Sequence, residues 1–141
     1  MSEIYFTVPG TPVGKGRPKF ARRGNFVTAY TPEKTASYEN LVKLAAAEAM
    51  KGTELITGPV KVRIFLFVTP PASWSNKKRI NALNGGLFPT SKPDLDNSAK
   101  LALDACNKIV WKDDKQVVDL TVRKRYDELA RVMVHVQEIE P

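Results

Sequence analysis

Val60-Lys61-Val62-Arg63-Ile64-Phe65-Leu66-Phe67-Val68 is the stretch from which the fold is read. Its β-branched and aromatic residues favour a strand. Side chains alternate across a strand, so Val60, Val62, Ile64, Leu66 and Val68 line one face. Lys61 and Arg63 begin the other face, which Phe65 and Phe67 continue. Gly58-Pro59 introduces the run and Pro70-Pro71 breaks it.

Upstream, Ile4 to Val8 reads as a first strand ended by Pro9-Gly10. Residues 9–25 gather prolines, glycines and the cations Lys15, Arg17, Lys19, Arg22 and Arg23. This composition predicts a long loop, of the kind that is more often functional than filler. Phe26 to Tyr30 reads as a short strand. Thr31-Pro32-Glu33 supplies an N-cap, a first-position proline and a first-turn acid. The helix that follows is expected to reach about Lys51 and stop at Gly52. Its buried side should hold Tyr38, Leu41, Val42, Ala45 and Ala49.

Downstream, Ser73 or Ser75 caps a short basic helix that ends near Asn84, ahead of Gly85-Gly86. A second helix begins around Asp94 to Asp96 and ends near Asn107. Gln116 to Tyr126 and Arg131 to Glu138 read as strands, with Asp127-Glu128-Leu129-Ala130 as a hairpin loop. The order β-β-α-β-α-α-β-β predicts a single α+β domain over residues 1–141, with helices packed on a mixed β-sheet. The length suits one core.

The chain carries 22 Lys and Arg against 15 Asp and Glu, a formal charge of +7, which favours a polyanionic partner. No apolar run approaches the roughly 20 residues of a membrane span, so no membrane is expected. Met1-Ser2-Glu3 lacks the regions of a signal peptide, and a cytoplasmic protein is expected. Cys106 is the 1 cysteine, which excludes an internal disulfide or a Cys-rich zinc site. Residues 4–32 and 55–93 contain no acid. Lys15, Arg17, Lys19, Arg22 and Arg23 in the first zone, and Lys77, Lys78, Arg79 and Lys92 in the second, are the candidate DNA-backbone contacts.

All the aspartates except Asp127 fall between Asp94 and Asp119. Carboxylates gathered in a basic protein repel one another unless a cation neutralises them, and a divalent ion points to metal-assisted phosphate chemistry. At 100° per residue, Asp96, Lys100, Asp104 and Asn107 lie within about 80° of one another, with Asn97 at the edge of the stripe. Leu101, Ala102, Leu103, Ala105 and Cys106 cover the opposite side. Aspartates also cap helices, and Asp96, Lys100 and Asp104 also form an ordinary charge ladder. Asp113-Asp114 tips the balance: a chain turning back there can bring either residue beside the start of the helix. Asp94, Asp96 and Asp114 would then hold Mg²⁺, for which Mn²⁺ can substitute. Lys100 would stabilise charge developing in the transition state, and Asn97 and Asp113 would orient the ligands.

Lys92-Pro93-Asp94-Leu95-Asp96-Asn97-x-x-Lys100-x-x-x-Asp104-Ala105, followed by Trp111-x-Asp113-Asp114-x-Gln116-Val117-Val118, resembles the RusA family of Holliday junction resolvases. Gly14-Lys15-Gly16-Arg17-Pro18 and Tyr30-Thr31-Pro32-Glu33-Lys34 are similar to elements of many relatives. The resemblance implies a small homodimeric, Mg²⁺-dependent endonuclease of bacteria and their prophages, acting on four-way branched DNA. It implies that Asp94, Asp96 and Asp114 match the catalytic aspartates and Lys100 the catalytic lysine, with Asp113 and Asp114 competing for one position. A protein two-fold axis can match that of a junction, so that two sites nick opposite strands.

Two other readings compete. One is a basic DNA-binding module without catalysis. The other is a general nuclease, since Pro93-Asp94 with Asp113-Asp114-Lys115 spells a PD-(D/E)xK pattern in which Lys115 replaces Lys100. Gly10-x-x-x-Gly14-Lys15-Gly16 is one residue short of a phosphate-binding loop and lacks its Ser or Thr. Trp74 and Phe88 read as satellite core in preference to base-stacking groups. His135 should face solvent on its strand, without a catalytic role.

Overall fold

The strand Val60–Val68 lies inside the sheet because its alternate side chains are wholly apolar. Val60, Val62, Ile64 and Leu66 are at most 1% exposed. The computed structural model describes residues 2–16, 19–24, 26–30 and 33–140, of which 19–23 and 26–30 as backbone only. Its elements are β1 (Glu3–Pro9), β2 (Lys19–Arg23), β3 (Phe26–Tyr30), α1 (Glu33–Ala49), β4 (Val60–Val68), α2 (Asn76–Leu83), α3 (Leu95–Cys106), β5 (Val117–Tyr126) and β6 (Arg131–Glu138). The fold is α+β, and the expected order is present. Lys19–Arg23 adds a strand inside the stretch read as a loop, and it pairs antiparallel with β3.

The main sheet has 4 strands in the order β1-β6-β4-β5. β4 runs antiparallel to β6 and parallel to β5, so the sheet is mixed. A parallel pair needs a long crossover. Here residues 69–116, carrying α2 and α3, provide it.

The hairpin expected at 127–130 does not form. β5 and β6 each pair with β4 and lie on opposite sides of it. The connection instead steps over the end of β4, where the Asp127 N–H donates to the Val68 carbonyl at 2.9 Å. Crossing two strand spacings means spanning about 9.5 Å, within reach of four extended residues.

One face of the sheet is covered by α1 and α3. α1 buries Thr35, Tyr38, Val42 and Ala46. Leu41, expected inside, is 52% exposed, and Ala45 and Ala49 are half-buried at the edge of the stripe. Its alanines leave more than one face small enough to pack, and the stripe that meets the sheet is rotated away from Leu41. Gly52 follows the helix at φ +78°, as a stop signal should. Thr31 and Pro32, read as its N-cap, lie outside the described residues. α3 buries Ala99, Leu101, Ala102, Ala105 and Cys106, and Trp111 just beyond it is 0% exposed.

Candidate active site

The approach to α3 is fixed from three sides. Lys124, near the end of β5, donates from Nζ to the Ser91 carbonyl at 2.6 Å and to the Pro93 carbonyl at 2.9 Å. The Lys15 N–H donates to the Asn97 carbonyl at 2.9 Å. A Cβ on Gly14 would meet the Asn97 Cβ at 3.0 Å and the Pro93 Cβ at 3.6 Å, so glycine lets this loop seat against the helix start. The Gly16 N–H reaches Thr35 Oγ1 on α1 at 3.1 Å. A cleft of about 440 Å³ results, lined among others by Gly14, Lys15, Lys34, Lys92, Asp94 and Asn97.

Asp94 occupies the N-cap position of α3, yet its side chain makes no capping hydrogen bond. One of its oxygens, Oδ2, accepts from Asn97 Nδ2 at 3.3 Å. Asp96, in the first turn, is exposed. Neither carboxylate has an ion-pair partner among the described residues. A capping hydrogen bond therefore does not account for Asp94, while Asp96 in the first turn also complements the helix dipole. Two neighbouring carboxylates suit a hard divalent ion, which takes one or two protein carboxylates and fills the rest of its shell with water and phosphate oxygens. Asn97 holds Asp94 in place, as a ligand-orienting residue would.

Asp104 belongs to a different set. Its Oδ2 lies 3.2 Å from Lys15 Nζ and 3.4 Å from Lys100 Nζ, and Lys15 also pairs with Glu39 on α1. Burial alone would lower the Lys15 pKa, but its hydrogen bonds to Glu39 and Asp104 outweigh that and raise it. Lys15 was expected to contact DNA. Its charge is instead turned inward, tying the β1–β2 loop to α1 and α3. The Lys100 side chain is 63% exposed against 29% for Asp104. An exposed i,i+4 pair is weak, so the Lys100 ammonium can leave it for a phosphate.

Asp113 and Asp114 do not reach the start of α3. β5 returns antiparallel to the helix: Lys124 near its end touches Pro93, so its beginning lies at the other end of α3. A helix of 12 residues is about 18 Å long. Asp114 Oδ1 accepts from the buried Trp111 Nε1 at 2.8 Å. Burial, with the nearby Asp114 charge, pushes the Cys106 thiol up to about 12. Asp113 caps the turn Asp114–Gln116, accepting from the Lys115 N–H at 3.0 Å. Gln116 Oε1 accepts from the Asp113 N–H, and its Nε2 donates to the Ile56 and Gly58 carbonyls. Among the described residues no group of 3 or more His, Cys, Asp or Glu side chains could hold an ion within one chain. The same distance separates Lys115 from Asp94, so the PD-(D/E)xK pattern does not assemble either.

The basic residues of α2 divide by role. Ser75 caps the helix. Lys77 and Lys78 are exposed. Lys78 Nζ lies 4.1 Å above the Trp74 ring, which packs edge-on against Tyr126 at 5.4 Å. Arg79 reaches back to the Pro71 carbonyl at 3.2 Å. Lys92 is exposed beside the cleft. Arg17 lies outside the described residues, and Lys19, Arg22 and Arg23 are seen only as the backbone of β2. Phe88, read as satellite core, is 59% exposed, with the Arg125 guanidinium 4.8 Å from its ring. His135, expected to face solvent, is stacked on Tyr5 at 4.2 Å, and its Nε2 is 2.8 Å from Glu3 Oε1. Lys124 and Arg125 escaped the sequence reading because they sit in a strand, where the usual signal is apolar alternation. A run of adjacent cations, Arg123-Lys124-Arg125, was the available clue.

The family Endodeoxyribonuclease RusA matches residues 9–137. The chain is also similar to the uncharacterized protein YqaN of Bacillus subtilis (strain 168), at 43% identity over 141 residues, covering 99% of each. No helix among the described residues is long and apolar enough to cross a membrane.

Proposed function

The chain belongs to the RusA family of endodeoxyribonucleases, and on that premise we propose that it is a divalent-metal-dependent nuclease that resolves four-way DNA junctions in the cytoplasm. The observation that carries this reading is Asp94, which lines the cleft without making a capping bond, with Asp96 exposed in the first turn, neither ion-paired among the described residues, and Lys100 one turn along the same helix. Asp94 and Asp96 would hold Mg²⁺ or Mn²⁺, which when bound would lower the pKa of a water and neutralise charge on the scissile phosphate. Lys100 leaves Asp104 and places its ammonium on the phosphate oxygen that gains charge. Asn97 keeps Asp94 oriented. Lys92 beside the cleft, and Lys77 and Lys78 exposed on α2, hold the DNA backbone.

A third carboxylate, Asp114, could join Asp94 and Asp96 only from a second copy, because α3 separates it from Asp94 within one chain. β5 lies at the sheet edge, with Val118 63% and Leu120 42% exposed. Antiparallel pairing of two β5 edges covers such apolar positions. It also sets the beginning of one β5 beside the end of the other, where Lys124 holds Pro93 next to Asp94. A homodimer then carries two composite sites related by a two-fold axis, as symmetric nicking of a junction requires.

The test is an incubation of the purified chain with a labelled four-way junction, a matched duplex and a single strand, in Mg²⁺ or EDTA. Paired Mg²⁺-dependent nicks on the junction are expected. Junction binding without nicks would make the protein a DNA-binding module. Equal cutting of all three substrates would make it a general nuclease.

A further inference from the structure

The sheet face turned away from α1 and α3 has a chemistry that the cleavage site does not use. Strand register arranges it in rows. Tyr5, His135, Arg63 and Thr121 form one row across the strands. Met133, Phe65 and Arg123 form the next, and Arg131, Phe67 and Arg125 the third.

No described element covers this face: Tyr5 is 65% and Met133 37% exposed, and Arg63, Arg123 and Arg125 are exposed. Tyr5 and His135 are stacked with ring planes 7° apart, and Phe65 and Phe67 with planes 15° apart. A hollow of about 230 Å³ opens between Tyr5, Arg63, Phe65, Met133 and His135. Arg63 and Arg123 have no ion-pair partner among the described residues. The acids here are few: Glu3 is occupied by Tyr5 and His135, and Asp119 sits at the far end beside Lys61.

An exposed Tyr5 ring beside the half-buried His135, Phe65 and Phe67 rings, among arginines without ion pairs in the described residues, suits a ligand that has both flat apolar faces and negative charge. Single-stranded nucleic acid has both, whereas a duplex hides its base faces. The third row also leads off the sheet. Arg125 stacks on Phe88, in the loop that runs to Asp94. We infer that this face is a stacking platform for an unpaired DNA strand, with bases on Tyr5, His135 and Phe65 and phosphates on Arg63 and Arg123. It extends the nuclease reading with a second DNA surface, one that binds without metal and fails or stands independently of cleavage.

The experiment is fluorescence anisotropy of a labelled oligothymidine with the full chain in EDTA, over a series of salt concentrations. The double variant Arg63→Glu/Arg123→Glu should bind at least tenfold more weakly and with a shallower salt dependence. Tyr5→Leu should lose about fivefold or more while keeping the salt slope, because stacking rather than charge is removed. Wild-type affinity in both variants overturns the platform, whatever the junction assay shows. Lost oligothymidine binding in a protein that cuts no DNA leaves the platform standing and removes the nuclease reading instead. If sedimentation shows the double variant falling from dimer to monomer with oligothymidine affinity unchanged, the face is a subunit interface and the inference is wrong.

Discussion

Lys124 Nζ donates to the Pro93 carbonyl oxygen at 2.9 Å, tying the end of β5 to the residue that precedes Asp94. The same ammonium holds Ser91. Replacing it leaves two carbonyls of the site loop without a charged donor. Lys124→Met is expected to lower unfolding stability by about 1.5–3 kcal/mol, the usual range for hydrogen bonds to charged groups. It should slow cleavage as Asp94 loses its fixed position. Urea denaturation and single-turnover cleavage check both; a midpoint equal to wild type would remove Lys124 from the account of the site.

Lys15 gives a prediction in pH. Its folded pKa is raised by Glu39 and Asp104 above the unfolded value. A cation with a raised folded pKa contributes stability that is fully present below the unfolded pKa and lost as pH climbs through the folded one. The stability difference between wild type and Lys15→Met should therefore stay constant through neutral pH and shrink only in strongly alkaline solution. A difference that shrinks between pH 5 and 8 would show that the pair is not what holds the loop.

The inward turn of Lys15 also separates it from the exposed cations. Lys15→Met should leave the salt dependence of junction binding unchanged. Lys77→Ala and Lys78→Ala should each flatten the slope of log affinity against log salt by about 0.9, the share of one phosphate contact. Equal flattening by all three would return Lys15 to the DNA interface.

A composite site makes a prediction about mixtures. Asp96→Asn and Asp114→Asn should each be inactive alone. Mixed and allowed to exchange subunits, they should regain cleavage, because one site of each heterodimer then combines the intact Asp94 and Asp96 with an intact Asp114. That site nicks one strand only. A mixture as dead as its components would place all the ligands in one chain or exclude Asp114.

Local patterns in the sequence were reliable where dense periodicity left one solution. β4 alternates without interruption, and α3 sets a polar stripe against an apolar one, so both stand where they were expected. Non-local pairing was not legible. β5 and β6 are joined by four residues and look like a hairpin, but the wholly apolar face of β4 places that strand between them. That insertion makes β4 and β5 parallel, fixes the direction of β5 against α3, and so sends Asp114 to the far end of the helix. β2 went unseen because its residues are basic and lack apolar alternation. On α1 the alanines allow several buried stripes, which is why Leu41 was placed inside and lies outside. Asp94 and Asp96 stood out in the sequence only by their spacing and the motif around them. That Asp94 makes no capping bond, and that neither is ion-paired among the described residues, required coordinates.

Metal binding by that pair is the claim on which the rest depends. Titration of Mn²⁺ into the wild type and Asp96→Asn, followed calorimetrically without DNA, tests it most directly. Measurable binding in the wild type, weakened at least tenfold by the substitution while the fold is unchanged, is the predicted result. Identical Mn²⁺ binding by both proteins would contradict it.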